Sequence, residues 1–555
     1  MFRLLAVFCI IFTVIYLLPL GGRPIVTPDE SRYGAIPAEM LETGEWVAPR
    51  LNGIRYFEKP VLGYWAIAAS QWLFGPSPWS IRFPSAVAMG FAALCLVLLA
   101  RCMGLREEVG WLAAIVFLTM LGVLIIGTVA ILDAMFTGAV TGALTFFAMA
   151  WTARTPGARF GWLLLFGAFC GLAFLVKGFL GLAIPTIVIG PFLLWMCRWR
   201  EIFVLPWVPM VAAAIVIAPW GIAVHMADSE YWHYFFWVEH IHRFTGGEEA
   251  QHPEPFWFFG PILLASAIPW TFAAILVIVG LGRRRLREPW MRYALCWVVV
   301  PLLLFSISSG KLPSYIIPCM PAVALLIAVG LVERFEYRPE RRTAKWLYPS
   351  VILMLFGVAA FVEWGFGFVD PSPWGEEGAW RFGLIGAGFF AWAALDLAAV
   401  STTRANRRVL LMGLSPVLMF AFVPLLLPTN WMSGYKAPEA FLSAHGDAMA
   451  DPEALVISDS HLMHAVNWLY GRYDVVLFGG PGEVAWGIVD HADRLVDGPA
   501  LIELISRESR ERPVVLLLRD TENLQHILAH PDVPEPWQLE VDRGIGLSVF
   551  GPPPS

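Results

Sequence analysis

Residues 131–151 of this 555-residue chain read ILDAMFTGAVTGALTFFAMAW, an apolar stretch with one charged side chain, Asp133. A helix needs about 20 apolar residues to cross the hydrocarbon core of a bilayer. Similar stretches recur along the chain, and with this one we place spans at 4–20, 82–100, 109–127, 131–151, 161–176, 179–197, 203–223, 257–280, 291–308, 314–333, 345–366, 382–400 and 408–427. The sequence therefore predicts a polytopic α-helical membrane protein with about thirteen transmembrane helices.

The composition agrees with that class. Hydrophobic residues make up 58% of the chain and charged residues only 15%, which is too little charge for a soluble protein of this length. The seven cysteines include no Cys-x-x-Cys pair, so we expect neither a zinc–thiolate site nor a disulfide framework. No clear small-x-small cleavage site precedes Gly21, so the first apolar run is expected to be a retained helix and not a cleaved signal peptide.

Basic residues lie in alternate loops between the predicted spans, and this pattern predicts the orientation of the chain in the membrane. By the positive-inside rule these loops are cytoplasmic. They carry Arg3, Arg101, Arg106, Arg154, Arg159, Arg198, Arg200, Arg283, Arg284, Arg285, Arg287, Arg292, Arg334, Arg338, Arg341, Arg342, Lys345, Arg404, Arg407 and Arg408. An odd number of spans sends the C-terminal region to the outer side.

Three outer segments are long. Residues 1–428 are predicted to form a transmembrane domain with outer loops at about 21–81 and 224–256, and residues 429–555 a separate outer domain. Within the first loop, Gly63 to Phe74 is apolar but too short to span a bilayer, so we expect a helix lying along the headgroups.

The C-terminal region has a different pattern. Short β-like runs at Ala454–Ile457, Val475–Phe478, Val514–Leu518 and Gly546–Phe550 alternate with helical patterns at His461–Tyr470 and Ala500–Arg507, as the sequence shows. This order predicts a small α/β domain with a mainly parallel sheet. The Gly479–Gly482 turn suits either a phosphate cradle or a plain loop, and a lone glycine cluster is more commonly a loop.

The first outer loop carries two candidate groups. Asp29 is either a helix cap, with Glu30 in the first turn, or a carboxylate that activates or orients a substrate. Glu58 and Lys59 are either a solvated pair near the headgroups or ligands, Lys59 for a phosphate and Glu58 for a divalent cation.

Further outer charges accompany the spans. Asp133 lies at the start of a span, where a carboxylate is either an N-cap or a functional group. Lys177, alone in a tight turn, is a positive charge on the outer side, so topology does not explain it. The segment Glu239–Phe244 contains His240 and Arg243, which suit metal and phosphate binding or an amphipathic loop helix. Residues 310–315 add Lys311 and Tyr315, both expected to face outward.

All these groups fall on one side of the membrane although they come from five loops. Cations beside carboxylates suit recognition of a phosphate ester and stabilisation of its charge as it leaves. A flippase or transporter would instead place ionisable residues deep within spans and use broken helices at the midplane. The predicted positions at the outer span ends favour an enzyme acting on a charged, lipid-linked substrate.

Five ordered motifs resemble the ArnT family of 4-amino-4-deoxy-L-arabinose transferases, related to the protein mannosyltransferases and oligosaccharyltransferases of the GT-C class. They are DESRY at 29–33, YFEKP at 56–60, LVKG at 175–178, FFWVEHIHRF at 235–244 and GKLPSYIIP at 310–318. His242 departs from the pattern, since glutamine is more usual there. The resemblance covers about the first 430 residues and extends in architecture to the C-terminal domain.

The resemblance implies a GT-C fold and sugar transfer from undecaprenyl phosphate to a lipid A phosphate at the periplasmic face of the bacterial inner membrane. It implies that Asp29 and Asp133 are the carboxylates of the transfer site and that Glu58 and His240 bind a divalent metal, plausibly zinc. It implies that Lys59, Arg243 and Tyr315 hold the donor phosphate and that Lys177 and Tyr33 line the same cavity. We add Lys311 and Tyr56 to the substrate-binding set.

Membrane lipids, the lipid-linked donor and lipid A are the expected partners, with no nucleic acid, and the protein is expected to be a monomer. A related transferase is the alternative, moving another polyprenyl-phosphate-linked sugar to lipid A, a glycan or a protein.

Overall fold

A computed structural model describes residues 2–242, 253–337, 342–368, 374, 378–402, 405–421 and 433–552. The chain divides into two compact units. The membrane unit is Met1–Gly22 with Arg82–Leu427, and the α/β unit is Arg23–Ile81 with Pro428–Ser555. Most of the predicted loop 21–81 lies in the α/β unit, as Arg23–Ile81.

The membrane unit is helical. Its helices, including short 3₁₀ and π segments, are Phe2–Phe12, Thr13–Leu17, Leu18–Gly21, Pro78–Cys102, Glu107–Leu118, Leu121–Gly127, Leu132–Thr152, Pro156–Lys177, Leu180–Trp195, Glu201–Val204, Trp207–Ala227, Tyr231–His233, Tyr234–His242, Phe259–Ser266, Trp270–Ala273, Ala274–Leu281, Arg283–Arg287, Pro289–Ile307, Pro313–Cys319, Met320–Tyr337, Arg342–Phe366, Trp380–Ser401, Ala405–Leu414 and Val417–Ala421.

Within the described residues, eight helices are long and apolar enough to cross a membrane. A ninth crossing arises if Glu107–Leu118 and Leu121–Gly127, which meet at 66°, form one span. Shorter apolar helices lie at Leu180–Trp195, Ser350–Phe366 and Leu411–Ala421. These findings establish a multi-pass membrane protein.

The predicted span 257–280 is not one continuous helix. It is broken into Phe259–Ser266, Trp270–Ala273 and Ala274–Leu281. Pro269 lies at the first break, and proline interrupts a helix because it lacks the N–H that would bond the preceding turn. Apolar content alone did not reveal this interruption.

The α/β unit contains helices and a mixed sheet. The strands are β1 (Arg50–Leu51), β2 (Ile54–Arg55), β3 (Leu455–Ser458), β4 (Val476–Phe478), β5 (Leu495–Val496), β6 (Val514–Leu518), β7 (Gln538–Asp542) and β8 (Ile545–Phe550). The helices are Asp29–Thr43, Leu62–Phe74, Gly434–Lys436, Glu439–His445, Asp447–Ala450, Met463–Tyr470, Gly482–Val484, Gly487–Arg494, Gly498–Glu508 and Thr521–Leu528.

The six-stranded sheet has the order β5-β4-β3-β6-β8-β7. Strands β5, β4, β3 and β6 are parallel, and β8 pairs antiparallel with β6 and β7. Its core is apolar and includes Ile457, Leu501, Ile505, Val514, Leu516 and Phe550. The four predicted strands are present as β3, β4, β6 and β8, whereas β5 and β7 were missed because β5 has two residues and β7 exposes much of its length.

Helix Asp29–Thr43 is anchored in the α/β unit along its length. A Cβ added to Gly34 would lie 2.6 Å from the Trp468 ring, so this helix and Met463–Tyr470 pack closely. Gly44 ends the helix at φ 74°, a left-handed conformation that glycine adopts without strain. This packing fixes the position of the DESRY motif.

Candidate active site

Arg32 organises a group of charges in the α/β unit. Its guanidinium donates to Asp29 at 2.9 Å and pairs with Glu483, and it lies 4.9 Å from the centre of the Tyr33 ring. The Arg32 side chain is 8% exposed whereas Asp29 is 62% exposed. A buried cation thus holds an accessible carboxylate by hydrogen bonding.

The YFEKP motif contributes to the same group. Tyr56 donates its hydroxyl to Glu58 at 2.9 Å, and the Lys59 ammonium lies 3.0 Å from the Glu58 carbonyl oxygen and 4.0 Å from its carboxylate. Burial acts to lower the pKa of Arg32, but Tyr56 and the carboxylates Glu483 and Glu58 hold it well above its ordinary value. The motifs at 29–33 and 56–60 therefore share one electrostatic environment.

Glu483 and His464 supply the C-terminal part of this group. Burial acts to raise the pKa of Glu483, but the Arg32 guanidinium holds it below its ordinary value. Burial lowers the pKa of His464 to about 4. His464 is consequently neutral near pH 7, so its 3.7 Å approach to Glu483 is not an ion pair at that pH. We name Arg32, Glu483 and His464, with Asp29, the Arg32 cluster.

The helix-cap interpretation of Asp29 is wrong. Pro28 occupies the N-cap and has no side-chain bond, while Asp29 is the first helical residue. The acid that bonds the backbone there is Glu30, which accepts from Val26 N at 3.0 Å and pairs with Arg23 at 2.6 Å. Asp29 therefore has no capping hydrogen bond to account for its presence.

The membrane unit holds a second group around Lys177. The Lys177 ammonium donates to Asp133 at 2.6 Å and lies 5.1 Å from the centre of the Tyr315 ring and 5.7 Å from that of Phe136. Both charged side chains are mostly buried, at 12% and 15% exposure. These predicted residues thus meet in space, and we call Asp133, Lys177 and Tyr315 the Lys177 cluster.

Helix ends place this second group. Asp133 is in the first turn of Leu132–Thr152 and Lys177 is the last residue of Pro156–Lys177, and both positions complement the helix dipole. The N-cap interpretation of Asp133 is wrong, because Ile131 is the N-cap and no side chain bonds there. Asp133 is instead committed to the ion pair.

The remaining predicted residues are placed less completely. Lys311 is buried, and its ammonium donates to the Glu254 carbonyl at 2.7 Å, so it ties two loop segments together. His240 lies in the helix Tyr234–His242, but its side chain is outside the described part of the structure. Arg243 lies outside the described residues altogether.

The described donors do not make up a metal site. Within the described residues no group of three or more His, Cys, Asp and Glu side chains is arranged to hold an ion. Glu58 is already engaged by the Tyr56 hydroxyl and lies beside the Lys59 ammonium. Zinc in proteins commonly has three or four protein ligands, so no catalytic step is assigned to a metal here.

Sequence reasoning missed Arg32 as a contributor although it lies inside the DESRY motif, and missed Glu483 and His464 entirely. The signal for Glu483 is its place directly after the Gly479–Gly482 turn, for which the sequence suggests either a phosphate cradle or, more commonly, a plain loop. Pairing between Arg32 and Glu483 links two distant parts of the chain.

Comparison with known proteins identifies the family. A model described as "Dolichyl-phosphate-mannose-protein mannosyltransferase" matches residues 1–235, and one described as "Arabinosyl transferase ArnT, C-terminal domain" matches residues 434–547. The undecaprenyl phosphate-alpha-4-amino-4-deoxy-L-arabinose arabinosyl transferase of Shewanella sediminis is 37% identical over 541 residues, 97% of this chain and 96% of that protein. The chain belongs to this arabinosyl transferase family. A relative of the same description from Aeromonas salmonicida is 37% identical over 92% of each chain.

A solved structure matches the fold. The crystal structure of ArnT from Cupriavidus metallidurans bound to undecaprenyl phosphate aligns with a TM-score of 0.80 and 21% identity over 99% of both chains. The apo structure of that protein aligns with a TM-score of 0.79. The family resemblance and the GT-C membrane fold are thereby confirmed, and the chain is a glycosyltransferase of the family that uses a lipid-linked sugar donor.

Proposed function

We propose that this protein transfers 4-amino-4-deoxy-L-arabinose from undecaprenyl phosphate to a phosphate of lipid A. The main support for the proposal is the similarity, over 97% of the chain, to a transferase that is named for this sugar donor. Such a modification masks negative charge on the lipid, so resistance to cationic peptides such as polymyxin is the expected consequence. The protein acts as a monomer.

The reaction is a displacement at the anomeric carbon. An ionised lipid A phosphate oxygen is already nucleophilic, so a strong general base is unnecessary. It forms a bond to the anomeric carbon as the bond from that carbon to the undecaprenyl phosphate oxygen breaks, and the electron pair leaves on the phosphate. Direct displacement inverts the configuration of the sugar.

The cations stabilise the departing phosphate, which is the largest contribution we assign. Lys59, Arg243 and Tyr315 bind the donor phosphate. Lys177 is held by Asp133 and lies over the Tyr315 ring, so the ammonium is oriented before substrate arrives. Orientation in advance reduces the reorganisation needed during transfer.

The carboxylates and phenols orient the sugar and acceptor. Asp29, held by Arg32 but still accessible, positions the acceptor or the ammonium group of the amino sugar. Burial raises the pKa of Tyr56 well above its ordinary value, so its phenol stays protonated and donates. Tyr33, Tyr56 and Lys311 complete the substrate-binding set.

We infer that thirteen spans place the reaction at the periplasmic face of the bacterial inner membrane, with the C-terminal domain in the periplasm. The loop arginines support this orientation through the positive-inside rule. Helix Leu62–Phe74 would lie at the headgroups, since Trp72, Leu73 and Phe74 are exposed at its end.

We also propose that Glu58 and His240 bind a zinc ion together with water or substrate, in a structural role. Metal analysis of the purified protein tests this directly. Equal zinc content in wild type and in Glu58→Ala and His240→Ala variants would rule it out.

Mass spectrometry of lipid A tests the proposed function. Cells expressing the protein in a strain that lacks its own transferase but makes the donor should gain the mass of one or two aminoarabinose groups. A different added mass would show that the protein transfers another sugar. Unchanged lipid A would show that lipid A is not the acceptor. Purified protein supplied with defined polyprenyl-phosphate sugars would then establish the donor.

A further inference from the structure

The sheet of the α/β unit has a topological switch point. The chain runs from β3 to β4 on one side and returns to β6 on the other, and all three strands are parallel. In open α/β sheets, ligands bind in the crevice outside the carboxyl ends of the strands at such a point. The carboxyl ends of β3, β4 and β6 are therefore a natural place to look for a ligand site.

A cavity of about 260 Å³ lies there. Its lining includes Asp459, Gly479, Gly480, Arg519 and Asp520, which follow these strands, and Asn523 of the helix Thr521–Leu528. A Cβ added to Gly479 or Gly480 would meet nothing within 4 Å, so the glycine turn leaves open space. The cavity therefore lies where the sheet topology predicts a ligand site, and its glycine turn leaves room for a ligand.

Some polar groups of the cavity lining are hydrogen-bonded within the protein, and others can bind a ligand. Asp459 accepts from the backbone N–H groups of His461, Leu462 and Arg519, so it builds the wall. Asp520 uses one oxygen to cap the helix Thr521–Leu528. Within the described part of the chain Arg519 forms no ion pair, and its guanidinium lies 5.9 Å from the centre of the Tyr435 ring.

The side chains that line the cavity indicate which class of ligand it binds. The lining includes two carboxylates and one guanidinium, a balance of charge that disfavours a ligand made mainly of phosphates. Sugar hydroxyls both donate and accept, so they can pair with Asp520, Arg519 and the Asn523 amide at the same time. A volume of about 260 Å³ suits one saccharide ring.

The cavity wall is continuous with the Arg32 cluster. Gly482 is packed against Ser460, at 2.7 Å from the position of an added Cβ, and the next residue is Glu483, the partner of Arg32. His461 lies within electrostatic range of Arg519 and Asp459 and also of Glu483 and Asp29. A saccharide in the cavity would therefore lie next to the segment that holds Asp29.

We propose that this cavity, the switch-point crevice, binds a glucosamine ring of the acceptor's saccharide headgroup through Arg519, Asp520 and Asn523. The identification of the ligand rests on the proposed function, because only a lipid A acceptor brings such a headgroup. The C-terminal domain is then an acceptor-recognition domain.

Binding to the full chain in nanodiscs tests this. The probes are an unacylated β-1,6-linked glucosamine disaccharide without phosphates, its bisphosphate, and inorganic phosphate. Gly480→Leu fills the crevice, and Asn523→Ala removes one amide. Gly480→Leu should abolish disaccharide binding because the leucine side chain occupies the cavity, and Asn523→Ala should weaken it roughly threefold to tenfold, as expected for one lost neutral hydrogen bond. The control Gln525→Ala, on the same helix but outside the lining, should bind like wild type.

Asp520→Asn keeps the helix cap, since asparagine also caps helices well. It should likewise weaken disaccharide binding, because the carboxylate acceptor is lost. The inference is overturned if wild type does not bind the disaccharide, if Gly480→Leu binds it unchanged, or if inorganic phosphate alone competes as strongly as the bisphosphate. Sugar transfer is measured on the same preparations. Wild type without transfer counts against the proposed function, whereas transfer with unchanged binding in every crevice variant counts only against the crevice.

Discussion

At the residue scale, the two carboxylates predicted to act in transfer are held in different ways. Asp133 is mostly buried in its pair with Lys177, whereas Asp29 is mostly exposed beside Arg32. Removing one partner of a buried ion pair leaves an uncompensated charge and costs more than the pair itself contributes. Exposed pairs contribute little to stability. The two acids should therefore respond differently to substitution.

Asp29→Asn should lower transfer about 100-fold, the size of effect expected when one oriented charge is lost from a reacting site. Its melting temperature should stay near that of wild type because the side chain is 62% exposed. A reconstituted transfer assay and thermal unfolding measure the two effects. Asp497→Asn, an exposed helix cap far from the motif in sequence, is the control. Full transfer by Asp29→Asn would remove the role assigned to Asp29.

Asp133→Asn and Lys177→Met should each destabilise the protein by roughly 3–5 kcal/mol, the cost of leaving one buried charge without its partner, and abolish most transfer. The double variant should be less destabilised than the sum of the two, since neither charge is then left unpaired. Unfolding of all four proteins in one detergent gives the coupling. Additive losses would show that the 2.6 Å contact has no energetic consequence.

At the element scale, helix Asp29–Thr43 is joined to the β1–β2 hairpin through Glu39. The buried Glu39 carboxylate accepts from Gly53 N at 3.1 Å, and its other oxygen has no hydrogen-bond partner. Burial raises the pKa of Glu39 from 4.5 to about 7. The helix that carries the DESRY motif is thus anchored by a group that titrates near neutral pH.

Because the folded state binds this proton more tightly than the unfolded state, stability should fall as pH rises from about 4.5 to 7. The full effect is on the order of 3 kcal/mol. Glu39→Gln should flatten this part of the curve and be more stable than wild type at pH 8. Thermal unfolding at pH 5, 6, 7 and 8 measures it, with exposed Glu45→Gln as control. Parallel curves for wild type and Glu39→Gln would contradict the assignment.

Asn52 joins the hairpin turn to the residue that precedes β4 and to the helix Met463–Tyr470. Its amide donates to Val475 O at 2.8 Å, and its carbonyl oxygen accepts from Val475 N and from the Asn467 amide. Asn52 also has φ 59°, which asparagine tolerates better than most residues. These hydrogen bonds link the β1–β2 hairpin to the C-terminal part of the α/β unit.

Asn52→Ala should destabilise the α/β unit by about 2–4 kcal/mol, because it removes buried hydrogen bonds and strains the backbone. Asn52→Gly loses the same hydrogen bonds without the strain, so it should be about 1 kcal/mol more stable than Asn52→Ala. Limited proteolysis of the full chain reports opening of this unit. Resistance equal to wild type in both variants would be inconsistent with the proposed link.

At the scale of the whole molecule, orientation can be tested by labelling. In a cysteine-free background, a cysteine at Gln525 should react with a membrane-impermeant reagent in cells whose outer membrane is permeabilised. A cysteine at Arg287 should react only after the inner membrane is broken. Both positions are exposed in the structure. Labelling in the opposite order would invert the proposed topology.

Much of the architecture was predictable because hydropathy is local. Apolar length located most crossings, and β-like runs located β3, β4, β6 and β8 within about one residue. The interruption at Pro269 and the bend after Leu118 were missed, since apolar length alone does not register a proline or a bend within an apolar run. The short strand β5 gives no detectable pattern.

The sequence by itself determined the class of protein, the expected orientation and the motifs that identify the family, because each depends on residues close together along the chain. Only the tertiary structure decided that Arg32 pairs with Glu483, that Asp133 pairs with Lys177 and that the first outer loop folds with the C-terminal region. Ion pairs form between charges that are close in space, whatever their separation in sequence. Patterns within short windows contain no information on that distance.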